Sequence, residues 1–180
     1  MRDGWHKSRL GKHVKIFSGN SPSQVPLSEE GTYPFVKVED LNNCRKYQLT
    51  GRSYTNDRKF CAPAGSIIFP KRGAAILNNK VRIASVDVAM DTNLMAVFAG
   101  HGLDNEFLYY LIEREGLFRI ADTSTIPQLN NKHIIPYEFH LPPLPEQRKI
   151  AEILRTWDEA IEKLEALRAA NLQRRIWMRT

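Results

Sequence analysis

The stretch LPPLPEQRKIAEILRTWDEAIEKLEALRAA, residues 141–170, starts as a proline-studded strap and continues as an amphipathic helix. Pro142, Pro143 and Pro145 fix their own φ and stiffen the strap into a polyproline-like segment. Pro145 suits the first helical position, where a missing N–H costs nothing. Glu146 then sets negative charge at the positive end of the helix dipole. Beyond it, Ile150, Ile153, Leu154, Trp157, Ala160, Ile161, Leu164 and Leu167 recur at steps of three and four and form one wide apolar stripe. Charged residues such as Arg148, Lys149, Glu152, Arg155 and Asp158 cover the rest. From Pro145 to Ala170 such a helix runs roughly 39 Å at ~1.5 Å per residue.

That stripe is too long for a small body to cover. One reading folds the helix back on its own domain. The favoured one projects it, so that Ile150, Ile153, Leu154, Trp157, Ile161, Leu164 and Leu167 pair with a similarly patterned helix. Past Ala170 the pattern degrades at Asn171, Arg174 and Arg175, and RRIWMRT carries no turn or cap. This is the look of a chain cut within a larger polypeptide. The domain boundary falls in the strap and divides residues 1–142 from 143–180.

The body reads as β-rich, and the fold class expected is α+β: a globular mixed-sheet domain followed by the long helix. YPFVKVEDL (33–41) has strand formers, with Pro34 at the entry. APAGSIIFPKRG (62–73) holds a short buried strand at 66–69. Residues 74–77, 81–84 and 93–98 read as further strands between turn signals. Near the start, Leu10, Val14 and Phe17 have helical spacing, while Val14, Ile16 and Ser18 alternate as a strand, and period alone does not separate the two. Residues 104–119 form a helix with one apolar face, capped by Asp104 or Asn105 and ended or bent by Gly116. TSTIPQLNNKHI (123–134) is a polar loop leading to a short helix. Tyr137, Phe139 and Leu141 alternate as a last strand.

The 180 residues carry a formal net charge of +6, with 42% hydrophobic and 26% charged side chains. No apolar run approaches the ~20 residues that span a bilayer, and MRDGWHKSRLGKHVKIF lacks the apolar core of a signal peptide. A cytoplasmic chain with no membrane association is expected. Cys44 and Cys61 belong to no CxxC or Cys/His cluster, so they read as reduced structural thiols without a metal. The basic balance is compatible with a polyanion, but where the charge sits matters more than its sum.

Three stretches collect groups suited to a nucleic acid. PKRGAAILNNK (70–80) packs Lys71, Arg72 and Lys80 around Gly73 and Asn78-Asn79, and Arg82 extends the patch if it faces the same way. Backbone amides freed at Gly and Asn, beside cations, hold phosphates; a solvated hairpin is the alternative. STIPQLNNKHI (124–134) offers Thr125, Gln128 and Lys132. An amide can read adenine and a cation guanine, or Thr125 and Lys132 can hold phosphate; a capped helix entrance is the alternative. NNCRKYQLTGRSYTNDRKF (42–60) interleaves Arg45, Lys46, Arg52, Arg58 and Lys59 with Tyr47 and Tyr54, the composition of a nucleic-acid face or of a solvated basic loop. SPSQVPLSEEGT (21–32) and this segment are the two candidate base-reading loops.

LPPLPEQRKIAEIL resembles the junction between a target recognition domain and the helical spacer in the specificity (S) subunit of type I restriction–modification systems. LGKHVKIFSGNSPS, YPFVKVEDLNN, GSIIFPKRGAAILNNKVRI, DTNLMAV and STIPQLNNKHI resemble that family's recurring pieces, in its order, over about residues 5–170. The resemblance implies one target recognition domain that reads half of a split site in double-stranded DNA. It also implies a spacer helix that sets half-site spacing and helps dock methylation subunits. Those subunits carry the S-adenosylmethionine chemistry, no cofactor being expected in this chain, and a restriction subunit joins the full complex. With one domain and one helix, the chain would be a half subunit or a fragment, working with a second half or as a homodimer. Since pieces shared by readers of different sequences are poor base readers, 70–80 is expected to hold phosphate, dock a partner subunit or serve folding.

Catalytic motifs are missing: no glycine-rich cofactor loop, no GxxxxGK[ST], no GxSxG, no Asn/Asp-Pro-Pro-aromatic tetrad and no acidic nuclease core. Glu39 and Asp40 are adjacent, would point to opposite sides of a strand, and read as surface carboxylates. The leading expectation is thus a non-catalytic DNA-recognition subunit. A helical scaffold without DNA binding and a diverged nuclease or methyltransferase are the alternatives.

Overall fold

The computed structural model describes residues 4–123 and 126–178. Its central layer is a mixed five-stranded sheet. The strands, in spatial order, are β2 (Val14–Ser18), β10 (Leu94–Ala99), β7 (Ile67–Pro70), β8 (Arg82–Ala84) and β4 (Tyr47–Gln48). A four-stranded sheet lies on one face, in the order β5 (Ser53–Thr55), β3 (Tyr33–Val36), β9 (Val88–Met90) and β6 (Cys61–Ala62). Helices α2 (Asn105–Glu115) and α3 (Leu117–Ile120) cover the other. Alternation along β10 explains the middle layer. Met95 and Val97 pack with Phe107, Leu108 and Ile112 of α2, whereas Leu94 and Ala96 pack with Val36, Val88 and Met90 of the smaller sheet. A strand buried on both faces reads as the continuous apolar run LMAVFA.

The α+β expectation holds, with local differences. Val14–Ser18 is a strand, pairing antiparallel with β10, and Leu10 sits fully buried in a single 3₁₀ turn before it. The strand at 33–41 stops at Val36. There the Lys37 amide donates to the Asp40 carboxylate at 2.9 Å, and Val38–Asn42 winds into a 3₁₀ turn. Asp40 is therefore buried, not a surface carboxylate. Residues 74–77 are not a strand but a helical turn, α1 (Ala74–Leu77). Gly73 breaks the strand with φ of 78°, and Ala-Ala-Ile-Leu then turns Ile76 down into the core. The short helix after the polar loop is α4 (Asn131–Ile134).

Asp104 caps α2, its carboxylate accepting from the amides of Glu106 and Phe107, each at 3.0 Å. Asp104→Ala is expected to cost about 1 kcal/mol in urea denaturation. At the chain's other end β11 (Glu138–Leu141) pairs antiparallel with β1 (His6–Arg9), closing the body just before the strap.

The last helix, α5 (Leu144–Trp177), begins one residue before Pro145 and runs on through the segment where the apolar pattern degrades. Its 34 residues span about 51 Å. Gln147 is fully buried at its root. The Gln147 amide nitrogen donates to the carbonyls of Gly102 (2.9 Å) and Pro142 (2.8 Å), and its oxygen accepts from the Asp104 amide (2.9 Å). Trp5 Nε1 donates to Glu146 at 2.9 Å beside it. Farther along, α5 neither folds back with its stripe nor stands free. Ala151, Arg155, Asp158 and Glu165 face the body, while Trp157 and Leu164 of the stripe are each 65% exposed. The helix leans on the body with a polar row and turns its apolar row outward.

Candidate nucleic-acid interface

Five pieces of chain meet at one end of the central sheet. At the end of β2 the Gly19 amide donates to Leu94 O (3.1 Å) and the Asn20 amide to Met90 O (2.8 Å). After β3, Val36 O accepts from Asp91 N (2.9 Å). After β7, the Lys71 amide donates to Asn93 O (2.7 Å), Lys71 O accepts from Leu129 N (2.9 Å), and the Gly73 amide donates to Pro127 O (3.0 Å). SGN, PKRG, DTN and PQL, four pieces of the recurring pattern far apart in sequence, thus form one pole. The packing is backbone on backbone: a Cβ on Gly19 would lie 1.8 Å from Asp91 O. The Asp91 carboxylate caps the turn, accepting from Thr92 Oγ1 and from the Asn93 amide and side chain.

Lys71 and Arg72 stand on this pole, and among the described residues neither has a carboxylate within ion-pair distance. Burial, then the charge of Arg72, pushes the Lys71 ammonium below lysine's ordinary value, against the weaker pull of Asp91. A bound anion would relieve that cost. Gln128 lies beside Arg72 in a β-bridge. Lys132 is exposed on α4. Thr125 lies outside the described residues. Lys80 donates to Asn42 at 2.6 Å. Arg82 is turned inward, its guanidinium donating to the carbonyls of Cys44 and Val81.

The basic and aromatic segment 42–60 is divided between two places. Lys46 is 5% exposed; its ammonium lies 2.8 Å from Glu106, 2.6 Å from Tyr110 Oη and 3.3 Å from Asp158. It joins α2 to α5 and is closed to a phosphate. Arg45 pairs with Glu165 of α5 at 2.7 Å, and Tyr47 Oη donates to Glu106 at 3.3 Å. The second half belongs to the smaller sheet. Tyr54 in β5 exchanges backbone hydrogen bonds with Ser28, bringing loop 21–32 against residues 53–57. There Arg58 pairs with Asp87 (2.8 Å) and Lys59 with Asp57 (2.7 Å). Arg52 Nε lies 3.1 Å from Asp40 Oδ1 without hydrogen-bond geometry, a purely electrostatic contact. Counting cations along the sequence therefore overstates this segment. Gln147, in turn, was missed because one buried glutamine in a charged run carries no periodic signal.

Burial, then Asp87, raises the Cys61 thiol to about 11, and burial also raises Cys44. Among the described residues there is no acidic, His or Cys group fit for a metal ion, and no helix long and apolar enough to cross a membrane.

The body thus carries a basic pole at one end of its central sheet and is joined to a long docked helix. The chain belongs to the type I restriction modification DNA specificity domain family, whose model matches residues 2–171. It is 27% identical over 168 residues to the MjaIX specificity subunit of the type I restriction enzyme from Methanocaldococcus jannaschii, which covers 88% of this chain and 39% of that protein. Its fold matches the HsdS subunit from Thermoanaerobacter tengcongensis with a TM-score of 0.70 at 23% identity, over 91% of this chain and 40% of that one. A chain from a structure addressing complex assembly and conformational transition of the type I R-M system matches with a TM-score of 0.77, also at 23% identity, over 95% of this chain and 42% of that one. The chain spans about two fifths of the length of these relatives.

Proposed function

We propose that this chain is a non-catalytic, cytoplasmic DNA-recognition module of a type I restriction–modification complex, reading one half of a bipartite double-stranded target. Residues 1–142 are the recognition domain and residues 143–180 the spacer helix. The observation that carries the reading is the pole at which Lys71 and Arg72 present charge with no acidic partner among the described residues. Phosphates are held there, with Lys132 and Thr125 as further candidates. Bases are read from loop 21–32 and residues 53–57, with Gln128 beside the pole. Four-residue β3 separates pole from loops by only ~13 Å, well under the ~34 Å of one DNA turn, a span that one duplex can cover. The methylation subunits, carrying S-adenosylmethionine, dock along α5, and the restriction subunit joins that assembly.

Titrating the chain, alone and with methylation subunits, into labelled duplex over a salt series tests the reading. A steep fall of log affinity with log salt is expected from counterion release. Binding flat with salt, or absent even in the complex, would favour a helical scaffold. Turnover by the isolated chain with metal or S-adenosylmethionine would favour the diverged enzyme.

The outward row of α5 is proposed to pair with a second such helix, from another half or another copy. Ile153, Trp157 and Leu164 are the exposed centre of that row, while Ile150 is half-buried against the body. Ile153→Glu, Trp157→Glu and Leu164→Glu together should leave a monomer by light scattering where the parent chain is a dimer. An unchanged mass would rule out this interface.

A further inference from the structure

The Lys46 cluster is absorbed neither by the DNA-facing pole nor by helix pairing. It ties three elements. Lys46 comes from the segment leading into β4, Glu106 and Tyr110 from α2, and Asp158 and Arg155 from α5. Tyr110 Oη donates to Asp158 at 2.6 Å while accepting from Lys46, and Arg155 donates to Glu106 at 3.0 Å. Lys46 and Arg155 balance Glu106 and Asp158, so no net charge is enclosed. Arg45–Glu165 extends the line by two more turns.

We infer that Lys46 and Asp158 are positioning residues that fix the angle at which α5 leaves the recognition body, and with it the half-site spacing the assembled complex accepts. The inference rests on the function proposed above. Leverage decides it. Gln147 pins the root of α5, and Asp158 lies ~16 Å farther along at ~1.5 Å per residue. Slack of ~2 Å at Asp158 would become about 5 Å at Trp177, ~45 Å from the pivot. One base-pair step is ~3.4 Å. A root joint alone would leave the spacing loose by more than one step; the second grip at Asp158 removes that freedom. The segment that carries Lys46 also continues through β4 to Gly51 and β5, which links this grip covalently to the base-reading loops.

The test is a distance measurement. Spin labels at Ser85 on the body and Ala169 on α5 are placed in a Cys44→Ser, Cys61→Ala background, diluted with excess unlabelled chain. Double electron–electron resonance should give one narrow distance in the parent. The width should at least double in Asp158→Asn, at a half-buried position on the surface of α5, and in Lys46→Met. Unchanged width in folded Asp158→Asn overturns the inference. In the second arm, the parent assembled with methylation subunits is offered targets whose half-sites differ in spacing by one base pair. Asp158→Asn should lower discrimination at least ten-fold. Retained discrimination alongside a discriminating parent overturns the spacing role. A parent that does not discriminate overturns the DNA-recognition reading instead, while the distance measurement still decides the clamp.

Discussion

Removing both cations of the pole, Lys71→Ala with Arg72→Ala, is expected to weaken duplex binding by about 10- to 100-fold at low salt and to flatten the log–log salt slope by about 1.8. Each cation that neutralises a phosphate releases condensed counterion worth ~0.9 in that slope, and two are lost together. Sequence preference should survive, because phosphate contacts set position and carry no base identity. Arg58→Ala is the contrasting control. That guanidinium already pairs with Asp87, so meeting a phosphate first breaks an ion pair, and the slope should barely move. Fluorescence anisotropy at four or five salt concentrations reads both. A double variant that keeps the parent slope would remove the pole from the DNA interface.

Gln147→Ala is expected to destabilise the body by about 3 kcal/mol in urea, roughly three times the effect at Asp104. The change strands two carbonyls and one amide at once, those of Gly102, Pro142 and Asp104. These backbone groups are buried or half-buried, and the loss of a partner costs each on the order of 1–3 kcal/mol before relaxation and water entry. Gln147→Glu separates geometry from chemistry. The carboxylate keeps an acceptor for the Asp104 amide but has no donor for the two carbonyls, so its loss should fall near that of alanine. A fall below about 1 kcal/mol in Gln147→Ala would mean that contacts other than the hydrogen bonds of Gln147 hold the root of α5.

Long patterns were legible in the sequence and single contacts were not. The α5 stripe, the α2 helix with its Asp104 cap and the β11 alternation all repeat a period over several residues, and periodicity survives folding. Residues 74–77 failed because four apolar residues fit a strand and a helical turn equally, and Gly73 decides between them through a φ no pattern reports. The pole was legible as fragments. That SGN, PKRG, DTN and PQL would meet depends on strand order in a sheet, which is long-range information. The segment 42–60 misled for the opposite reason. Its cations are clustered in sequence, but acidic partners up to 120 residues away neutralise them in space.

The two-sided character of α5 gives ionic strength opposite roles on one helix. Its body side is held partly by Arg45–Glu165 and Arg155–Glu106, pairs open enough for salt to screen. Its outer side is apolar, and excluded salts strengthen apolar association. On the proposed function, concentrated sulfate would loosen the first joint while tightening the pairing of the outer row, and would compete with DNA for the pole. If α5 pairs as proposed, the helix–helix contact would be the last to fail under such conditions, and a purification that begins in high salt would select for the paired form over the free chain.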